Sequence, residues 1–166
     1  GLLDARAGTG GVLAINPAAG DIIQKDDLCG PVAAGVAIHD EIVFGGDEQG
    51  NVFAVDLRQG NTLWVKTAAD LGLRGSPRIE SRPLIIDAER VLFAFGEGLT
   101  PEEGGALVPL MQRTGLAAGR IAALPETVPY GMRRLSSPLL LGRGEVCVAA
   151  YDGTLYRWSA ARGLSP

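Results

Sequence analysis

One phrase of eleven residues occurs four times in this chain, each time as a glycine, an apolar run and a second glycine ten residues after the first. Gly10 opens G-G-V-L-A-I-N-P-A-A-G, Gly50 opens G-N-V-F-A-V-D-L-R-Q-G, Gly105 opens G-A-L-V-P-L-M-Q-R-T-G and Gly153 opens G-T-L-Y-R-W-S-A-A-R-G. The closing glycines are Gly20, Gly60, Gly115 and Gly163, and the copies start 40, 55 and 48 residues apart. A repeat of this length is one supersecondary unit, which buries its apolar faces by stacking on its neighbours.

Each glycine has a mechanical role. The first follows turn-like residues, as in Asp47-Glu48-Gln49-Gly50 and Tyr151-Asp152-Gly153, where positive φ is cheap for glycine alone. The four opening glycines are therefore expected in equivalent turns, and the closing ones in the next hairpin turn along. The runs over 12–15, 52–55 and 107–110 are nearly continuous in apolar residues, the mark of strands covered on both faces. Residues 41–44, 90–95 and 145–149 supply a second strand per repeat, 32–38, 84–86 and 139–141 another, and 61–66 a fourth. Helix is expected only as single turns near 67–71 and within 100–119. Composition agrees, since Gly and Pro make 34 of 166 residues and aromatics 9. This favours short strands and turns.

These units predict an all-β chain, a β-propeller of four-stranded antiparallel blades. An ordinary β-sandwich does not require the recurring glycine pair. Counted in this phase the chain holds a partial blade over 1–28, a blade over 29–70, a blade with an insertion over 71–128 and a partial blade over 129–166. That is about three and a half blades, the last stopping after its third strand, an arc of a larger ring whose remaining blades would be its first partners. Charge excludes one class of ligand: 15 cations against 19 anions, a net of −4, is no surplus for nucleic acid. No apolar run approaches the 18 residues of a membrane span. Gly1-Leu2-Leu3-Asp4-Ala5-Arg6 has neither an initiator Met nor a signal-peptide layout, so the expectation is a soluble stretch trimmed from a longer protein.

The second repeat carries Ala54-x-Asp56-x3-Gly60-x3-Trp64 after Gly50-Asn51-Val52-Phe53, and it resembles the quinoprotein-type, pyrroloquinoline-quinone-like (PQQ-like) propeller repeat with its tryptophan-docking motif. The first copy keeps Ala14, Asn16 and Gly20 but has Gln24 at the Trp position. The third has Pro109, Met111 and Gly119 at the Ala, Asp and Trp positions, and the fourth has Arg157 and Ser159 at the first two. The resemblance implies the propeller fold and, in catalytic members, a PQQ cofactor held by an adjacent cysteine pair and a calcium ion. Cys29 and Cys147 are not adjacent. The expected function is therefore non-catalytic, a protein-interaction scaffold or sensor without cofactor; the alternative is a fragment of a PQQ-dependent dehydrogenase, with PQQ and calcium in the full-length parent. Leu71-Gly72-Leu73-Arg74-Gly75 resembles the partner-binding loop of the propeller lipoprotein family in the outer-membrane β-barrel assembly machine. That nominates Leu71, Leu73, Arg74 and Arg78 as a protein-binding site and implies a periplasmic or cell-envelope location.

The remaining chemistry-bearing residues have plainer expectations. Trp158 sits in the slot of Val55, Ile15 and Leu110 and is expected to fill core. His39 is expected at an exposed hairpin tip with no nucleophile beside it. Asp47, Glu48 and Asp152 lie in turns where carboxylates are routine, without a calcium-loop pattern. Cys147 is expected as a buried strand residue and Cys29 as the more exposed of the two. Arg133 and Arg134 form a second arginine pair between blades.

Overall fold

Apolar runs punctuated by turn glycines fold into strands: the described residues contain no helix, and 67–71 forms single turns. The computed structural model describes residues 2–4, 9–15, 18, 22–32, 34–75, 77–79, 81–97 and 104–166, with backbone alone for 2–4, 9–14, 22–29, 97 and 104. The first sheet is β1 (Leu2–Asp4), β2 (Thr9–Ile15) and β3 (Ile22–Cys29). The second is β4 (Ala37–His39), β5 (Ile42–Gly46), β6 (Val52–Asp56) and β7 (Asn61–Lys66). The third is β8 (Leu84–Ile85), β9 (Arg90–Glu97), β10 (Gly104–Met111) and β11 (Ala122–Ala123). The fourth is β12 (Leu139–Gly142), β13 (Glu145–Ala149), β14 (Leu155–Ser159) and β15 (Gly163–Ser165). In every sheet consecutive strands pair antiparallel, so each is a simple meander. Three of the four sheets are four-stranded, the blades of a partial propeller.

The glycine pairs set the meander. Gly60, Gly115 and Gly163 all have positive φ, at 67°, 65° and 73°, and each closes the turn between the third and fourth strands of its sheet. Gly60 N–H donates to the Asp56 carbonyl and Gly115 N–H to the Met111 carbonyl, both at 2.9 Å, while Gly163 pairs with Ser159. Gly50 and Gly153, with φ of 80° and 88°, close the preceding turn by donating to the carbonyls of Asp47 and Ala150. Gly105 keeps a positive φ at the start of β10. Gly10 departs from the expectation: it lies inside β2, paired with Leu3 and Cys29, because the first repeat begins its strand at Thr9, ahead of the glycine. Gly20 lies outside the described residues.

The last sheet also differs from the strand count. Residues 163–165 turn back at Gly163 and pair Ser165 with Arg157 and Leu164 with Trp158, so the sheet is complete at four strands. Three residues with one apolar side chain carry no periodicity to announce a strand.

The core lies in the seams between sheets. Ile42, Phe44, Val52, Ala54 and Trp64 of the second sheet pack on Val91, Phe93, Phe95, Val108 and Leu110 of the third. The other face of the third sheet, with Leu92, Ala94 and Leu107, packs on Val146, Val148, Tyr156 and Trp158 of the fourth. Strands β5 and β6 are buried at every position, as continuous apolar runs covered on both faces must be.

Candidate partner-binding loop

The chain leaves β7 at Lys66 and reaches β8 at Leu84 through a loop fixed by short-range hydrogen bonds. Asp70 Oδ2 accepts both the N–H and the Oγ1–H of Thr67, and Thr67 Oγ1 accepts the Asp70 N–H. The Thr67 backbone bond, its hydroxyl and nearby Lys66 hold the Asp70 carboxyl below its usual range. Leu73 N–H donates to the Ala68 carbonyl at 2.9 Å, and Gly72 and Gly75 take positive φ on either side of Leu73-Arg74. Further on, Ile79 N–H donates to the Asp47 carbonyl, and Arg78 accepts Gly96 N–H at its own carbonyl.

This loop carries Leu71, Leu73, Arg74 and Arg78 but does not gather them into one site, and it gives them two roles. Leu71 and Leu73 are half-buried against the seam between the second and third sheets. They anchor the loop. Arg74 and Arg78 are exposed, and Arg78 lines a cleft of about 500 Å³ with Thr67, Ala68 and Gly75 on one side and Glu48, Gln49 and Asn51 on the other. The second side is the turn after β5. Asp47 is fully buried there and accepts four N–H bonds, from Gly30, Gln49 and Asn51 backbone and from Asn51 Nδ2, at 2.8–2.9 Å. Its carboxylate is a turn brace. Gly50 is required at this turn twice over, by its φ and because any Cβ would strike the Pro77 carbonyl of the loop.

The docking motif builds the other end of the same seam. Ala54 is buried in β6 between Phe44 and Trp64. Asp56 Oδ1 accepts the N–H groups of Arg58 and Gln59, bracing the turn that Gly60 closes. Trp64 reaches across the seam, its Nε1–H donating to the Gln112 carbonyl at 2.9 Å and its ring lying against Phe44 and Phe93. A Cβ on Gly115 would come within 2.8 Å of that ring. Trp64 is thus seated on the turn glycine of the next repeat.

Gln112 has no signal in the sequence, since it is one polar residue in a polar turn. It is almost fully buried, and its Nε2 donates to the Asp87 and Arg90 carbonyls. That leaves Oε1 to accept from His39 Nδ1 at 2.9 Å. His39 is therefore a cross-seam donor and not a free hairpin tip, and the bond requires the proton on Nδ1. The hairpin it borders turns on Asp40 and Glu41, both at positive φ, the demand of a two-residue turn between twisted strands.

The other candidates fall elsewhere. Trp158 is buried in the core of the seam between the third and fourth sheets. Glu48 is exposed, and Asp152 Oδ1 accepts Thr154 N–H. Cys147 is a half-buried free thiol on the face of β13 away from the core, because its neighbours Val146 and Val148 take the buried side. Cys29 lies in β3, its side chain outside the described residues. Arg133 donates to the Val128 and Glu126 carbonyls, and the Arg134 guanidinium stacks 5.1 Å from the Tyr151 ring centre. Among the described residues no group of three His, Cys, Asp or Glu is placed to hold a metal ion, and no helix is long and apolar enough to cross a membrane.

Comparison with solved structures agrees with the sheets. The chain is similar to BamB from Moraxella catarrhalis, with a TM-score of 0.62 and 22% identity over 85% of this chain and 38% of that one. It is also similar to the computationally designed Ika4 protein, with a TM-score of 0.59 and 18% identity over 90% and 79% of the two chains. No curated protein matches by sequence. The chain spans well under half of the Moraxella protein, and at these identities the likeness is one of fold. A family model described as outer membrane protein assembly factor BamB matches residues 1–165; with its glycine-paired repeats and docked Trp64, this chain belongs to that family.

Proposed function

We propose that the chain is part of a non-catalytic propeller scaffold of the cell envelope, docking a partner protein on the loop over 71–78. The observation that carries this reading is the division of labour in the loop: Leu71 and Leu73 hold it to the core while Arg74 and Arg78 are exposed, Arg78 lining a cleft of about 500 Å³. Two exposed guanidiniums on one loop suit a partner that presents carboxylates, with the half-buried leucines offering apolar contact. The family name, an outer membrane protein assembly factor, supports both the envelope location and a protein as the ligand. The buried carboxylates among the described residues, Asp47 and Asp56, are engaged by turn N–H groups, which supports a role without PQQ or calcium.

The test is co-purification of the tagged protein with subunits of the outer-membrane β-barrel assembly machine. Arg74→Glu replaces an anchoring cation by a repelling anion. Recovery of partner should fall about tenfold or more, while stability changes by about 0.5 kcal/mol or less, as for surface sites. Unchanged recovery, or a variant that unfolds, sinks the reading.

A further inference from the structure

The outer strand of the third sheet has an open edge. β11 is the end strand of its sheet, and residues 116–118 prolong it along β10, with Ala117 bridged to Leu110. Met111 N–H donates to the Leu116 carbonyl and Ala118 N–H to the Pro109 carbonyl, while further along Leu124 N–H donates to the Gly105 carbonyl. Antiparallel bonds alternate, so Ala117 and Ala123, which lie between these inward-bonded residues, turn their own N–H and C=O away from β10. Pro109 has no N–H to return to Ala118, and the strand bulges over 119–121 before it rejoins at Ala122. Six residues separate Ala117 from Ala123 and four separate their partners Leu110 and Ala106. The excess is even, so both alanines keep the outward phase. Both faces of this sheet are taken within the chain, one by the second sheet and the other by the fourth. Native edges are guarded by charge, yet Arg120 is the single charged residue over 114–124, and Leu116 and Ile121 are 61% and 38% exposed. Beside them the seam opens into a mainly apolar cavity of about 150 Å³, with Lys66 and Leu71 on one side and Leu110, Leu116, Ala117 and Ile121 on the other. Ala117 shares a face with Leu110, and its methyl leaves that volume unfilled.

We propose that this edge takes an extended segment of a partner protein as a fifth strand, with one apolar side chain of that segment seated in the cavity and a carboxylate beside Arg120. Three features of one strand point to this occupant. Main-chain groups turned outward at Ala117 and Ala123 suit strand addition, in which main-chain bonds give affinity and pockets for alternate side chains give specificity. The cavity, at about 150 Å³, has the size that admits one benzene-sized apolar group. Charge supplies the third: Arg120 and Lys66 are cations, whereas the Asp70 carboxylate is already engaged by Thr67. The site goes beyond the loop over 71–78. Leu71 anchors that loop and lines the cavity, but Arg74 and Arg78 take no part in it.

The test is binding of a fluorescein-labelled extended peptide, T-V-E-L-T-V-T, to the full-length protein that carries this chain, read by fluorescence polarisation, with amide exchange followed at Ala117 and Ala123. The peptide should bind with a Kd below about 1 mM and slow exchange at both amides. Ala117→Pro removes an outward N–H and no ladder bond, and Leu116→Lys places a charge on the edge. Each should weaken binding about tenfold or more, with a denaturant melt showing that the variant remains folded. The same peptide with Asp in place of its Leu should not bind. Arg74→Glu should not change the peptide affinity, so the edge and the loop over 71–78 stand or fall separately. No binding at about 1 mM, binding that both edge variants leave intact, or binding lost in Arg74→Glu overturns the proposal. So does self-association that Ala117→Pro abolishes while the peptide stays unbound, which would assign the edge to a second copy.

Discussion

The seam between the second and third sheets and the seam between the third and fourth are each built around a tryptophan, and the two rings are held differently. Trp64 lies in the outer strand β7, crosses the seam, hydrogen-bonds the Gln112 carbonyl and rests on Gly115. Trp158 lies in β14, among Leu92, Leu107, Val146 and Tyr156, and its buried Nε1–H has no partner. The docking motif adds a polar, cross-seam contact to apolar packing. Trp158 fills volume in its seam without a polar partner across it. Trp64 depends on the neighbouring repeat for an acceptor and for a bare glycine to sit on, so it specifies which surfaces meet and in what register.

Trp64→Ala removes the pin outright. Loss of a large buried ring costs about 3–5 kcal/mol by transfer and cavity terms, read as a shift in a denaturant melt. A loss under about 1 kcal/mol would mean that the pin is dispensable. Gly115→Ala tests the surface beneath the ring. Its φ of 65° strains any side chain, and its Cβ would lie 2.8 Å from Trp64. Gly60→Ala has the same backbone demand, with φ of 67°, and nothing within 4 Å. Gly60→Ala should cost about 1 kcal/mol, the left-handed penalty alone, and Gly115→Ala about 2–3 kcal/mol, strain plus overpacking. Equal losses would show that the ring yields and that Gly115 matters for its turn alone.

Much of the fold was legible because this repeat writes its turns in glycine. Gly50, Gly60, Gly115, Gly153 and Gly163 all hold positive φ, and the runs between them are buried strands. Legibility failed where a role depends on another repeat or on very few residues. Gln112 looks like any turn residue until the third sheet brings it under Trp64 and His39. The strand Gly163–Ser165 is too short to show a pattern. Gly10 keeps the glycine spacing but lies inside β2, where the strand starts ahead of it. The loop over 71–78 was legible as a break, since Pro77 and the flanking glycines forbid regular structure, but its split into buried leucines and exposed arginines belongs to tertiary packing. Cys147 has the look of core in the sequence, and the alternation within β13 that turns it outward is a property of the folded sheet.

The smallest expected effect is the sharpest discriminator. Trp158→Phe keeps an aromatic ring in the seam between the third and fourth sheets but removes its orphaned N–H. An unsatisfied buried donor carries a penalty of about 1–3 kcal/mol, which the substitution relieves, while the smaller ring loses packing of comparable size. The two terms oppose, so the net change should lie within about 1 kcal/mol of zero. Trp64→Phe removes the same atoms, but there the N–H is bonded and its loss strands the buried Gln112 carbonyl. Both terms then act in one direction, and the variant should lose about 2–4 kcal/mol. Equilibrium melts of the two Phe variants under one condition decide the matter. Equal losses would mean that Trp64 is filler like Trp158 and that the cross-seam bond adds nothing; a clear gap assigns that bond the role of holding the second and third sheets in register.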